Sequence, residues 1–248
     1  MHLSNLYVTS MQRQPRAILF DLGNTLVSYY RKEEFSPILA QSLNNVLDAL
    51  RKESVETISP DLAWERGIAE NREAQDYRVT PLTERLARIF ALEQADDSDI
   101  AERLCPAFME PIFQTGYLYD DTLPVLRELK ERGYTTGIVS NTPWGSAPEL
   151  WRSELNRLGL TELLDDCTFC GDAGWRKPDA RVFLRATHNL DVECDDCMFV
   201  GDDLRWDVEG SSNLGMRPVL IDRGGYHSDI AGERITTLEE LLPLLSTD

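Results

Sequence analysis

The chain has 248 residues, 42% of them hydrophobic and 27% charged, a soluble globular composition with apolar mass for a large core. A net charge of −18 opposes docking on DNA, RNA or an anionic membrane, so neither nucleic acid nor a membrane is expected as a partner. No apolar stretch reaches the length of a membrane span and no basic-then-apolar leader opens the chain, which makes a cytoplasmic enzyme the expectation and leaves the oligomeric state open.

Residues 1–15 are polar and aperiodic and are expected to form a flexible N-terminal arm, with Met11 as an alternative start. Residues 16–21 form a short apolar run ending in Asp21, suited to a buried parallel strand. Over residues 29–117 the pattern changes to helical spacing, clearest at residues 35–50 and 82–92, and a helical cap inserted after the first strand is expected there. Residues 16–28 and 118–248 then make the core. In it a helix capped by Asp121 or Thr122 runs to Arg132 and stops at Gly133. A strand over 134–140, a helix over 147–158, a strand over 166–170 and a helix over 179–189 follow. The chain closes with a strand over 197–201, a helix over 203–214, a strand over 218–221 and a helix over 237–245. Such alternation predicts an α/β fold with a Rossmann-like parallel sheet covered on both faces. Functional groups in such sheets gather at the C-terminal ends of the strands.

Reading only those strand ends gives Asp21 followed by Gly23, Asn24 and Thr25; Ser140 and Asn141; Lys177 before Pro178; and Asp202, Asp203 and Asp207. Carboxylates, a hydroxyl and an amine converge on one edge. Hard oxygen ligands of this kind suit Mg²⁺, which pairs with substrate phosphate, and Lys177 and Ser140 offer a charge and a hydrogen bond to phosphoryl oxygens. The five cysteines include the pairs Cys167/Cys170 and Cys194/Cys197. Three residues of strand rise separate the first pair by about 10 Å, too far for one tetrahedral zinc with bonds of roughly 2.3 Å.

These segments, at residues 18–26 (ILFDLGNTL), 137–141 (GIVSN), 174–178 (GWRKP) and 199–203 (FVGDD) with Asp207, resemble the haloacid dehalogenase (HAD) superfamily, in the branch with a helical cap after the first strand. The resemblance runs from Arg16 to about Leu242. It implies that Asp21 is a nucleophile forming an aspartyl-phosphate, that Ser140 binds the phosphoryl group, and that Lys177 neutralises charge and holds Asp21. It also implies Mg²⁺ held by Asp21, the backbone carbonyl of Gly23 and Asp202, steadied from behind by Asp207, with Asp203 either touching a metal-bound water or capping the following helix. Asn24, Thr25 and Asn141 flank the phosphate position as candidate substrate contacts.

The departure from the family pattern is Gly23, where an acid–base Asp commonly stands. A glycine keeps the backbone ligand and loses the proton transfer. His227 is the one surrogate acid weighed, against the simpler reading of a solvated loop histidine. The expected function is a Mg²⁺-dependent phosphatase for a small phosphorylated metabolite with a good leaving group. The alternatives are a metal-independent 2-haloacid dehalogenase, a phosphonate-cleaving enzyme using Lys32 or Lys52, and a non-catalytic HAD protein that binds a phosphorylated ligand or partner. Arg66, Arg72, Arg78 and Arg85 are candidate grips for a substrate anion, set against ordinary solvent-facing arginines.

Overall fold

The computed structural model describes residues 14–72, 74–92, 97–227 and 232–245; the expected arm up to residue 13, with Met11, lies outside them. Strand β1 (Ala17–Phe20) is wholly buried. A short strand β2 (Val27–Ser28) follows, and then helices α1 (Phe35–Lys52), α2 (Pro60–Glu70), α3 (Leu82–Phe90) and α4 (Asp97–Thr115). In α1 the buried Leu39, Leu43, Val46, Leu47 and Leu50 recur every three or four residues, the spacing that puts them on one face against α4. Ser59 starts α2 by accepting the Leu62 N–H at 3.2 Å. Strand β3 (Tyr117–Leu118) then pairs antiparallel with β2, so the chain leaves for these helices and returns from them side by side.

The alternation resumes with α5 (Thr122–Glu131), β4 (Thr135–Ser140), α6 (Pro148–Arg157), β5 (Asp166–Phe169), α7 (Cys170–Ala173) and α8 (Ala180–Asn189). It ends with β6 (Cys197–Gly201), a π-helical turn over Leu204–Glu209 running into α9 (Gly210–Ser212), β7 (Arg217–Ile221), β8 (Glu233–Ile235) and α10 (Leu241–Leu244). The sheet is parallel throughout in the order β5-β4-β1-β6-β7-β8. Side chains alternate across it. Ala17, Leu19, Val139 and Phe199 pack with Val182, Phe183 and Ala186 of α8 on one face, and Ile18, Phe20, Ile138 and Val200 join Val125, Leu126 and Leu129 of α5 on the other. The second core continues into α1, α3 and α4.

Three expectations are corrected. Neither Asp121 nor Thr122 caps α5 with its side chain. Asp121 accepts both guanidinium nitrogens of Arg223 at 2.9 Å and the Leu238 N–H at 2.8 Å, while Thr122 Oγ1 donates to the Leu26 carbonyl at 2.7 Å. The last segment is not one helix over 237–245; a 3₁₀ turn (Leu238–Glu240) precedes the single turn of α10, within which Pro243 lacks a backbone donor. The third strand ends at Phe169, and Cys170 opens α7. Strand β8 carries only three residues, too short to show a period in sequence.

Candidate active site

The central strand aims the first functional group. Asp21 follows β1 directly, and its N–H donates to the Val200 carbonyl at 2.9 Å, which continues the β6 pairing to the strand's last residue. Its Oδ1 accepts from Ser140 Oγ at 2.9 Å and from Lys177 Nζ at 2.6 Å. Ser140 ends β4, the strand beside β1. Lys177 comes from the loop between α7 and α8, held by Asn141: the Lys177 N–H donates to Asn141 Oδ1 at 2.8 Å, and Asn141 Nδ2 donates to the Lys177 carbonyl at 3.3 Å. The same ammonium donates to Asp207 Oδ1 at 2.6 Å, so it bridges two carboxylates.

Asp207 reaches this point because the π-helical turn after β6 wraps tightly and because Gly201 has no side chain. A Cβ on Gly201 would collide with the Asp207 carboxylate. Asp207 Oδ2 accepts the Asp203 N–H at 3.0 Å. Asn24, at φ 55°, donates from Nδ2 to Asp202 Oδ2 at 3.2 Å. One oxygen each from Asp21, Asp202 and Asp207 lies within 4.8 Å of the others. Asp207, expected behind the ligands, thus stands among the oxygens that converge. Asp203 does not join them: its Oδ1 accepts the N–H groups of Arg205 at 2.9 Å and Trp206 at 2.7 Å and starts the following turn.

Three carboxylates against one ammonium leave a surplus of negative charge. Burial lifts the Asp202 carboxyl to about 7, and the Asp21 and Asp207 charges add to the rise. Asp207 is also raised, by burial and by Asp21, although Lys177 pulls the other way. Burial works against the Lys177 charge, but Asp207 and Asp21 outweigh it and hold the ammonium above its usual range. The donors are all hard oxygens, and burial together with mutual repulsion raises the carboxyls of Asp202 and Asp207.

The cluster opens on a cavity of about 420 Å³. Asp21, Gly23, Asn24, Ser140, Asn141, Lys177, Asp202, Asp203 and Asp207 all line it. Thr25 does not: it is fully buried, its hydroxyl lacks a partner, and its carbonyl accepts from Arg223. His227 lines a neighbouring cavity instead, its N–H bonded to Asp222 at 2.9 Å. None of the four arginines reaches the cavity wall. Arg85 is buried and holds the carbonyls of Thr80, Glu70 and Arg72, Arg66 holds that of Ile89, and Arg78 lies over Trp175. The cysteine thiols of Cys167 and Cys197 are pushed up to about 12 by burial, which keeps them protonated.

Sequence reasoning missed the aromatic wall. Tyr29, Tyr30, Phe35, Trp144 and Trp151 line the cavity. Trp144 sits at φ 60°, ψ 9° in the turn after Ser140 and Asn141, with its ring 5.3 Å from Phe108 of α4. The Pro-Trp-Gly run behind a strand-end Ser-Asn pair was the available signal.

A model of the haloacid dehalogenase-like hydrolase family matches residues 15–215. The chain belongs to this family. A glyceraldehyde 3-phosphate phosphatase of Methanopyrus kandleri is 28% identical over 215 residues, 85% of each chain. An (S)-2-haloacid dehalogenase of Pseudomonas is 33% identical over 166 residues, 66% of each. Among solved structures, a HAD phosphatase from Thermococcus onnurineus superposes with a TM-score of 0.66 at 28% identity, covering 93% of this chain and 98% of its own. Among the described residues of this HAD-like hydrolase, no helix is long and apolar enough to cross a membrane.

Proposed function

We propose that this hydrolase is a Mg²⁺-dependent phosphatase for small phosphorylated metabolites, with Asp21 as nucleophile and the helices between β2 and β3 as a substrate-selecting cap. The observation that carries this reading is the carboxylate cluster around Asp21. A metal-free haloacid reaction would place an anionic substrate against three acidic groups, whereas a phosphatase neutralises them with the cation its substrate needs. The relative named as a glyceraldehyde 3-phosphate phosphatase supports the substrate class.

Asp21, Asp202 and Asp207 would hold Mg²⁺, with the Gly23 carbonyl as a further donor, and the ion would supply charge neutralisation at the phosphoryl oxygens. Ser140 and Lys177 both act on Asp21 Oδ1 and fix the carboxylate's rotation. Oδ2 takes no hydrogen bond among the described residues and is the attacking atom. It forms a bond to phosphorus as the bond to the leaving oxygen breaks, and that oxygen departs with the electron pair. Gly23 donates no proton to it, which restricts the enzyme to leaving groups stable as anions. Water then attacks the aspartyl-phosphate, releasing inorganic phosphate and the Asp21 carboxylate.

Hydrolysis of 4-nitrophenyl phosphate with and without Mg²⁺ tests the reading. Turnover that disappears in EDTA and returns with Mg²⁺ is expected. Full activity in EDTA, or turnover of 2-chloropropionate in its place, would exclude it.

A further inference from the structure

Part of the cavity lining is uncharged and largely aromatic. Tyr29, Tyr30, Phe35, Ile112, Trp144 and Trp151 form it, from the segment after β2, from α1, α4 and α6, and from the turn after β4. Among the described residues, the cations lining the cavity are Arg176 and Lys177, and both are engaged. Lys177 bridges Asp21 and Asp207, and Arg176 is buried with Nη1 donating to the Thr142 carbonyl at 2.9 Å. Against them stand Asp21, Asp202, Asp203 and Asp207.

The adjoining cavity, about 840 Å³, shares Asn24, Tyr29, Tyr30 and Asp202 with the first. Its Arg31, Lys32 and Arg223 face Glu33, Glu34, Asp202 and Asp222. Arg31 is paired with Glu34, and Arg223 is paired with Asp121 through two nitrogens. The arginines of the helical segment lie outside both cavities except Arg31. An anion held within the first cavity would therefore lose its hydration without gaining a partner among the described residues, inside a protein of net charge −18.

We infer that the substrate's leaving group is uncharged and presents a flat or apolar face to this aromatic wall, so that phosphate esters carrying a second phosphate or a carboxylate are rejected. This rests on the phosphatase reading for the position of the phosphoryl group beside Asp21. The rest follows from the lining. Aromatic side chains offer stacking area and polarisable edges, and the phosphate's own charge is met at the other end by Lys177 and the ion. Phe35, half-buried at the start of α1, and Tyr30 are the specificity-determining positions open to substitution without disturbing the carboxylate cluster.

The test separates binding from turnover. Phenylphosphonate and 3-carboxyphenylphosphonate carry the same phosphonate and differ by one carboxylate. Binding of each to the Mg²⁺-loaded protein is followed by tryptophan fluorescence, since Trp144, Trp151 and Trp206 line the cavity. Phenylphosphonate is expected to bind at least about tenfold more tightly. Phe35→Lys, with Tyr30→Lys as the alternative should the first not fold, is expected to close most of that gap by giving the carboxylate a partner. Equal or tighter binding of the carboxylated compound by the unaltered protein, saturable binding of neither compound, or an unchanged gap in a folded lysine variant would each overturn the inference. Absence of 4-nitrophenyl phosphate hydrolysis with the binding preference intact would count against the phosphatase reading alone.

Discussion

At the scale of single residues, the proposed mechanism sets a nucleophile held in place against a missing proton donor. Asp21 is fixed by two donors on one oxygen, so Asp21→Asn keeps the shape and loses the attacking charge. Its rate of phosphate ester hydrolysis should fall at least about 10³-fold with the fold retained, as read by circular dichroism; a variant retaining a tenth of the rate would remove Asp21 from the chemistry. Gly23 is different, because nothing in the structure demands a glycine there. Its φ is not left-handed, and a Cβ would meet only the Tyr29 ring at 4.0 Å. Position 23 therefore has room for a Cβ. In the unaltered enzyme the rate should depend steeply on leaving-group pKa, with aryl phosphates turned over and alkyl phosphates nearly inert. Gly23→Asp should flatten that dependence and raise the alkyl rate about 10²-fold, the usual contribution of a positioned general acid. Similar rates on alkyl and aryl esters in the unaltered enzyme would mean that another group supplies the proton.

At the scale of elements, the junction between the helical segment and the core is built from backbone contacts. The Arg176 N–H donates to the Tyr77 carbonyl at 2.8 Å and the Val79 N–H to the Gly174 carbonyl at 3.0 Å, which ties the segment before α3 to the loop that carries Lys177. Next to it, the turn after β4 presses on Thr80. Gly145 has φ 67°, and a Cβ there would collide with the Thr80 carbonyl oxygen. Gly145→Ala should cost at least about 2 kcal/mol, from strain and overpacking together. It should lower kcat as well, because Trp144 beside it lines the cavity. A denaturant midpoint within error of the unaltered protein would show that the turn relaxes. These elements also mark what the sequence makes legible. The strands ending at Phe20, Ser140 and Gly201 are short, apolar and bounded by turn residues, so local pattern places them and the residues at or just past their ends. Strand β8 and the Asp121–Arg223 pair are not local: one has three residues, and the other joins positions 102 apart in sequence. The same holds for the aromatic wall, whose members are scattered from Tyr29 to Trp151 and meet only through packing. Thr25 shows the converse error, since adjacency to Asp21 and Asn24 in sequence did not carry it to the cavity.

At the scale of the whole molecule, three carboxylates meet at one point of the fold, and stability is linked to the titration of Asp202 and Asp207. Asp202 titrates near 7 in the folded protein and near 4 in an unfolded chain. Between those values the folded state binds more protons than the unfolded state, so stability falls as pH rises through the window and is highest at its acidic end. Asp207 shifts in the same direction. The metal-free protein should therefore melt at a higher temperature near pH 5.5 than near pH 7.5, the reverse of a protein whose carboxylates are all held by salt bridges. A cation that binds the ionised cluster stabilises the folded state by mass action. Mg²⁺ should accordingly raise the melting temperature more near pH 7.5 than near pH 5.5. Carboxylates that are lowered, such as Asp165 beside Lys130, lose their contribution only at more acidic pH and do not mask the window. Asp202→Asn removes the main titrating group without removing the side chain's volume. Its metal-free melting temperature should lie above that of the unaltered protein near pH 7.5, vary less between the two pH values, and respond weakly to Mg²⁺. The same pH slope and Mg²⁺ response in Asp202→Asn would show that the charge surplus is relieved elsewhere, and would take Asp202 out of the proposed metal site.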